Sequence, residues 1–211
     1  MVEVFTAKGE PERVERGVLH MDIGSLDFNQ VTRLCQQHGL YSALLYIFNR
    51  GLAEFIAPAQ DLLHAVVESD AEAPRTALAD KLLVYLQCCF EGRAFPPGRG
   101  RLDAKEVPVA RCGMLAFLLY GRAPNGADAD VTSIRRHPVL CELVYLRGPA
   151  VLAVIRAAFA EWDTVEADLL DAGRLGGIVH GVDGREAADR TALQAVVHAL
   201  LYVADELARA G

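Results

Sequence analysis

The sequence predicts an all-α protein built from stacked helical hairpins, a segment of an α-solenoid. Apolar residues recur at helical spacing along most of the chain, and no convincing run alternates polar with apolar residues as a strand would. Several connections between the predicted helices are nearly absent, and short connections place neighbouring helices side by side as hairpins. A compact helical bundle satisfies the same observations and remains the alternative.

The first clear helix is expected from Asp27 to Gly39. The Asp27 carboxylate can accept hydrogen bonds from the free backbone amides of the first turn. Gln30 can reach back to the cap, and Leu26 can pack against Val31 across the helix start. Gly39 is a natural left-handed cap, so the helix should stop there.

The second helix is expected from Leu40 to Arg50, with its end at Gly51. Its side chains are apolar almost all round and cover more than one face: Leu40, Tyr41, Leu44, Leu45, Ile47 and Phe48. A helix of this kind must be covered on both sides. A stack of hairpins supplies that cover, and so does a compact bundle.

The third helix is expected within Leu52–Glu68. Pro58 lies about two turns into that segment, so either the helix begins near Ile56 or it kinks at the proline. One face of the segment is apolar. Its members are Leu52, Phe55, Ile56, Ala59, Leu62, Leu63 and Val66.

The remaining helices follow from the same periodicity and, at Pro108, Pro138 and Pro149, from proline at a first helical position. They are expected at Pro11–Met21, Thr76–Glu91, Pro108–Tyr120, Pro138–Arg147, Pro149–Glu161, Thr164–Ala172 and Gly184–Ala210. Charged residues and the Gly148-Pro149 break interrupt the apolar region Val139–Trp162. We therefore do not expect that region to cross a bilayer as one helix.

Composition narrows the class of protein. The chain has 211 residues and a net charge of -7, which argues against a general nucleic-acid binder. Its five cysteines are odd in number and lie in apolar segments, as free thiols in a reducing compartment do. The N-terminus lacks the apolar stretch of a signal peptide. These features predict a soluble, cytoplasmic protein.

Cys35 and His38 are the first candidates for chemistry. At this spacing on a helix they are neighbours on the surface, which would suit two ligands of one zinc ion or a thiol beside a base. A structural zinc needs two more ligands, and no second pair matches this spacing. We expect Cys35 to be a small core residue and His38 a polar residue at the helix end. A small helical enzyme or metal protein that uses this pair stays the alternative of a different class.

Two loops are further candidates. The segment Gly92–Leu102 carries Arg93, Arg99 and Arg101; it reads either as an extended linker after a helix stop or as an exposed contact loop for an acidic partner. The segment Gly173–Gly184 imitates a phosphate loop but lacks the Gly-Lys-Ser/Thr ending and a preceding strand, so a mobile loop between helices is expected. No catalytic, metal-ligating or cofactor-binding residue is assigned, no binding residue is identified, and no cofactor is expected.

Two ordered blocks carry a family resemblance. The block "LDFNQVTRLCQQHGLYSALLYIFNRGL" and, further on, "KLLVYLQCCFEGRAFPPGRG" resemble the central helical region of the vacuolar protein sorting-associated protein 8 family. The matching positions are Leu26-Asp27, Arg33-Leu34-Cys35, His38-Gly39-Leu40-Tyr41, Ala43-Leu44, Tyr46, Asn49-Arg50 and Lys81–Gly100. The resemblance covers about residues 19–161. Residues 162–211 are expected to add further helices to the same single region, 1–211, as a less tightly attached continuation.

The resemblance implies a role in the CORVET endosomal tethering complex. The family is similar to HOPS subunits, which pair a β-propeller with a long α-solenoid and a C-terminal zinc-binding RING domain, and neither of those end domains is encoded in this sequence. The implied function is a non-enzymatic scaffold in vesicle-mediated protein transport to the vacuole or lysosome. The implied partners are other tethering subunits and, through the family, an endosomal Rab GTPase that no residue here can be assigned to bind. Membrane association would be peripheral and through those partners. An unrelated helical scaffold or adaptor is the alternative.

Overall fold

A computed structural model of the chain describes residues 11–121, 137–159 and 192–210. The described residues form helices joined by turns, with one isolated β-bridge and no β-strand. The predicted all-α class is therefore confirmed. In chain order the described α-helices are α1 (Pro11–Val18), α2 (Phe28–Gln37), α3 (Tyr41–Leu52), α4 (Ile56–Glu68), α5 (Glu72–Phe90), α6 (Glu106–Tyr120), α7 (Pro138–Ala158) and α8 (Ala192–Ala210). A short 3-10 helix, Ile23–Ser25, lies between α1 and α2.

The helices pack in the order in which they occur along the chain. Each one lies mainly against the next helix or the next but one: α3 contacts α1, α2 and α4, and α5 contacts α4, α6 and α7. Helix α8 packs on α7 at the far end. Contacts that stay local in sequence are typical of stacked helical hairpins. This packing is that of an α-solenoid segment.

Helix α3 lies between two apolar clusters, as its all-round apolar sequence predicts. Leu44 is fully buried in an N-terminal cluster that α1, α2 and α3 form together. Leu45, the next residue, is fully buried in a larger central cluster formed mainly by α4 to α8. Adjacent residues on a helix point about 100° apart, so one helix can serve both clusters.

The ends of α2 are those that the sequence predicts. The Asp27 side chain accepts a hydrogen bond from the Gln30 amide at 3.1 Å, which satisfies one free donor of the first turn. Gly39 follows the helix with a φ of 64°, a left-handed conformation that glycine adopts without a steric penalty. The Leu40 amide then donates to the Cys35 carbonyl oxygen at 2.8 Å and closes the turn.

The end of α3 differs from the prediction. The helix continues through Gly51 to Leu52, and the left-handed residue that follows is Ala53, with a φ of 50°. Gly51 has a packing role instead, since a Cβ atom there would lie 3.3 Å from the Ile23 side chain and 3.5 Å from the Phe28 ring. The expected helix end at Gly51 is therefore wrong. Leu52, expected on the buried face of the third helix, closes α3 and is 57% exposed.

Helix α4 begins at Ile56, which is one of the two alternatives for Pro58. The Glu54 carboxylate accepts hydrogen bonds from the amides of Ile56 and Ala57 at 2.8 and 3.1 Å and so caps the start of the helix. Pro58 lies in the first turn, where a backbone amide has no partner within the helix, and the helix needs no kink.

Helices α5 and α6 begin earlier than expected. Helix α5 starts at Glu72 rather than Thr76, and α6 at Glu106 rather than Pro108. The third residue of each helix is a proline. A proline is tolerated throughout the first turn, and not only at the first position, because the amides of that turn have no partner within the helix. Pro138, by contrast, does stand at the start of α7, as predicted.

Helix α7 consists of two helical segments that meet at a kink, as the sequence predicts. The backbone leaves helical geometry at Arg147 (φ -142°, ψ 41°), just before Gly148 and Pro149, so the predicted break between the two segments is present. By length and composition alone, with a mean hydropathy of 1.6, α7 could cross a membrane, but the kink at Arg147 falls at the interruption for which we expect no single membrane-crossing helix. In this fold its inner face packs on α5 and α6, and the Arg147 guanidinium pairs with Asp80 at 2.6 Å.

Some expectations fall outside the described residues. These are the helix at Thr164–Ala172, the glycine-rich segment Gly173–Gly184, and the first part of the helix expected from Gly184, which is described from Ala192 onward. Helix α1 ends at Val18, three residues before the expected Met21.

Candidate functional site

Cys35 and His38 lie in different environments. Cys35 is fully buried in the N-terminal cluster, and burial, with a smaller contribution from the Glu15 carboxylate, raises the pKa of its thiol from 9.0 to about 12. His38 is the exposed C-terminal cap of α2. A nucleophilic or zinc-binding cysteine must be a thiolate, which this environment opposes. Cys35 as a core residue and His38 at the helix end are confirmed. Among the described residues no group of three His, Cys, Asp or Glu side chains could hold a metal ion.

The loop after α5 is a compact hairpin, so its interpretation as an extended linker is wrong. The Ala94 amide donates to the Gly100 carbonyl oxygen at 3.1 Å, and the Leu102 amide donates to that of Gly92 at 3.0 Å. Gly92 turns the chain out of α5 with a φ of 65°, where a Cβ atom would also approach the Val107 side chain to 3.1 Å. We call residues 92–102 the arginine hairpin.

A buried anchor holds the arginine hairpin against the helices. Phe95 is 5% exposed, and its ring meets the ring of Tyr85 edge-on, with centroids 5.4 Å apart. Hydrophobic burial and edge-to-face packing both stabilise this contact. The buried Phe95 therefore fixes the position of the hairpin backbone that carries the arginines.

Tyr85 also belongs to a buried hydrogen-bond network at the end of α3. With its amide nitrogen facing the acceptors, Asn49 donates to the Glu54 carbonyl oxygen at 2.9 Å and to the Tyr85 hydroxyl at 2.8 Å. The Tyr85 hydroxyl donates in turn to the Phe55 carbonyl oxygen at 3.0 Å. Burial raises the pKa of Tyr85 well above 10.0, so the hydroxyl keeps the proton that it donates. The network ties α5 to the turn between α3 and α4.

Two adjoining clefts lie at the surface of α3 and share Tyr46 and Arg50 as lining residues. We call the pair of clefts the Tyr46 groove. Its basic half, about 350 Å³, lies between α3 and the hairpin and includes Arg99, Arg101 and Glu106. Its apolar half, about 590 Å³, lies between α3 and the 3-10 helix. The lining residues of that half are Met21, Asp22, Ile23, Gly24, Phe28, Gly51 and Leu52, together with the shared pair.

The basic half has an excess of positive charge. The Arg99 guanidinium stands over the Tyr46 ring, 5.7 Å from its centroid, which orients it by a cation–π contact. Arg50 and Arg101 are exposed, and within the described part of the chain neither has an ion-pair partner. Among the described residues that line this half Glu106 is the one acidic residue, and its carboxylate accepts a hydrogen bond from the Asp103 amide at 3.2 Å.

The sequence predicts part of this groove. Arg93, Arg99 and Arg101 stand out in it, and the structure brings the last two into the groove, whereas Arg93 pairs with Glu91 at 2.9 Å. The sequence does not indicate that the hairpin meets Tyr46 and Arg50, which lie more than forty residues earlier in the chain. No local pattern encodes that contact, because it depends on the packing of α3 against α4 and α5.

These features define the class of the protein: a helical-repeat protein of stacked hairpins, with an exposed groove between a helix and a loop. The particular family follows from sequence comparison. A family profile described as "Vps8 central TPR" matches residues 1–159, about three quarters of the chain, and the chain belongs to the Vps8 family. An unrelated helical scaffold or adaptor, the alternative interpretation, is therefore wrong.

Curated relatives agree with this family. The chain is 38% identical to the human vacuolar protein sorting-associated protein 8 homolog over 121 residues, which are 54% of this chain and 8% of the relative. It is 39% identical to the mouse homolog over 121 residues, again 54% and 8%. The Drosophila melanogaster homolog is 32% identical over 151 residues, 72% of this chain and 11% of the relative. The matches thus cover about a tenth of the relatives' length. No solved structure matches the chain.

Proposed function

We propose that the chain is a non-enzymatic scaffold segment of an endosomal membrane-tethering subunit. It would act in vesicle-mediated transport of proteins to the vacuole or lysosome, as part of a CORVET-type complex. The observation that carries the proposal is the family match over residues 1–159, which includes the stack from α1 to α7. Relatives that bear the name vacuolar protein sorting-associated protein 8 support the sorting role.

The proposed mechanism is geometric. Stacked hairpins share apolar faces with their neighbours and form an elongated body that can hold other domains apart while it offers a long surface to partners. The buried network of Asn49 and Tyr85 supports this role, since it fixes the turn between two hairpins. A scaffold of this kind needs no catalytic group. The raised pKa of Cys35 also supports a structural role for the one candidate pair in the sequence.

The proposed partners are the other subunits of the tethering complex. An endosomal Rab GTPase is a further partner through the family, although no residue of this chain is assigned to that contact. The chain would then be cytoplasmic and peripherally associated with endosomes through its partners. We further propose that residues 1–211 form one helical region, in which residues 162–211 continue the family-like part.

Co-purification tests the proposal. The tagged full chain would be expressed in cells and captured, and the bound tethering subunits would be identified by mass spectrometry. The control is a folded helical-repeat protein of similar net charge and length. We expect the core CORVET subunits with the chain and not with the control. A chain that is folded by circular dichroism, yet captures no such subunit, would contradict the proposed function.

A further inference from the structure

We propose that the Tyr46 groove binds a short acidic peptide segment that also carries a large apolar side chain. The groove is composite, and its two halves meet at Tyr46 and Arg50. The inference requires only the described groove, so it stands or fails independently of the tethering function.

Charge complementarity identifies the acidic part of the ligand. Arg50, Arg99 and Arg101 line the basic half, and Glu106 is the single carboxylate among the lining residues that the structure describes. The chain as a whole is acidic, with a net charge of -7, so this local excess of arginine runs against the general charge. Guanidinium groups hold carboxylates with paired, charge-assisted hydrogen bonds. Two or more Asp or Glu side chains would therefore match the basic half.

The adjoining half identifies the apolar part of the ligand. Leu52 is 57% exposed beside the half-buried rings of Phe28 and Tyr46. Phe28 is fixed by an edge-on contact with Phe48 at 5.3 Å, so this wall of the groove is preformed. A bound apolar side chain would cover Leu52 and remove apolar area from water. The Asp22 carboxylate at the rim accepts from the Gly24 amide at 3.2 Å and disfavours a ligand whose acidic groups extend into this half.

The arrangement also favours a peptide over a flat charged surface. Arg99 is held over the Tyr46 ring and the arginine hairpin is anchored by the buried Phe95, so Arg99 and Arg101 line the hairpin wall of a cleft that has Arg50 of α3 on its other wall. An extended segment can place acidic residues along the hairpin wall and an apolar residue beyond Arg50. Preorganised walls lower the entropic cost of binding such a segment.

Fluorescence anisotropy with the purified full chain tests the proposal. The probe is a short labelled peptide of Asp and Glu with one Phe near its end. Two companion peptides replace the acids by Asn and Gln, or the Phe by Ser. We expect the first peptide to bind most tightly and its affinity to fall as ionic strength rises, because exposed charges are screened. Equal binding of the amide peptide would overturn the proposal.

Variants locate the site. The double variant Arg50→Glu with Arg101→Glu should weaken binding of the acidic peptide by about tenfold or more, since two attractive charges become repulsive. The matched control is the double variant Arg33→Glu with Arg156→Glu, two exposed arginines that do not line the groove, which should leave affinity unchanged. Leu52→Ser should weaken the Phe-containing peptide by about fivefold and leave the Ser peptide unaffected. Circular dichroism confirms that each variant is folded.

Other occupants would give different results. Vesicles of phosphatidylcholine with phosphatidylserine that bind more tightly than the peptide, through the same arginines, would identify a lipid-headgroup surface and overturn the proposal. A wild-type dimer that the double variant dissociates in light scattering would identify an interface between two copies and would also overturn it. Peptide binding that all folded variants retain equally would place the ligand elsewhere on the chain.

Discussion

The two apolar clusters on either side of α3 are built differently. The N-terminal cluster consists of eight buried residues from short helices, all apolar or small: Val14, Val18, Val31, Cys35, Leu40, Ala43, Leu44 and Ile47. The central cluster draws on longer helices and includes Tyr85, whose hydroxyl is bound by the network with Asn49. A small cluster at the end of a stack depends on its helix caps and turns, whereas a large one depends on packing and on satisfied polar groups.

An ionic contact between described residues also joins the two regions. Glu15 of α1 accepts a hydrogen bond from the Ser42 amide at 2.8 Å, and it lies 3.7 Å from the Lys81 ammonium of α5. Both side chains are partly buried, so solvent screens the pair less than it would on an open surface. The Tyr41 side chain packs against both clusters, and the contact between Glu15 and Lys81 adds a charged link between them.

The largest expected loss of stability comes from replacing a buried leucine of α3, and the loss should differ between the neighbours Leu44 and Leu45. Leu45→Ala leaves a cavity in the central cluster and should lower the free energy of unfolding by about 2 to 5 kcal/mol. Leu44→Ala should fall in the lower part of that range, because the end of the stack can relax into the space more easily. Denaturant unfolding followed by circular dichroism measures both. A loss below about 0.5 kcal/mol for Leu45→Ala, the usual size for a surface substitution, would show that α3 is not covered on both sides.

The next largest loss of stability is expected from breaking the buried hydrogen-bond network of Tyr85. Tyr85→Phe keeps the ring against Phe95 but removes the hydroxyl, and it leaves the Phe55 carbonyl oxygen without its donor. The expected loss in the free energy of unfolding is about 1 to 3 kcal/mol, the cost of an unsatisfied buried polar group. Tyr41→Phe is the control, since Tyr41 is only half-buried and lies outside this network. Equal losses in the two variants would contradict the role of the network.

The cap of α2 should contribute less. Asp27→Ala removes the acceptor of the Gln30 amide and should destabilise the chain by about 0.5 to 2 kcal/mol. Asp27→Asn retains an acceptor oxygen and should restore most of the loss. Thermal unfolding of the two variants beside the wild type measures the difference. If alanine and asparagine behave alike, the cap hydrogen bond does not hold the N-terminal cluster together.

The smallest effect concerns the thiol of Cys35. At pH 8 the native chain should show almost no alkylation of Cys35 by iodoacetamide, because its pKa is about 12 and its side chain is fully buried. The raised pKa favours the neutral thiol in the folded chain. The stability that the neutral Cys35 thiol contributes is therefore fully present below pH 9.0, the ordinary pKa of a cysteine, and is lost as the pH rises toward 12. Peptide mass spectrometry would follow the labelling, with the chain in denaturant as the reactive control. Rapid labelling of the native chain would mean that the N-terminal cluster opens.

The sequence predicted those parts of the fold that depend on local chemistry. Asp27 and Gly39 bound α2 as expected, because caps and left-handed glycines act within a few residues. The prediction that α3 ends at Gly51 was wrong, because a glycine can either end a helix or allow close packing, and the sequence does not distinguish the two. Here Gly51 allows close packing against Ile23 and Phe28. The candidate site was predicted in part, because Arg99 and Arg101 stand out in the sequence, whereas their place beside Tyr46 in one cleft depends on how α3 packs against its neighbouring helices.

Hydrogen exchange with mass spectrometry tests the central claim, a linear stack in which α3 joins two clusters, most directly. Exchange would be compared among the wild type, Leu44→Ala and Leu45→Ala under native conditions. We predict that Leu44→Ala raises exchange mainly in α1 and α2, while Leu45→Ala raises it mainly in α4 and α5, because local opening follows the cluster that is weakened. A uniform rise over all described helices in both variants would contradict the stack and indicate a single compact bundle.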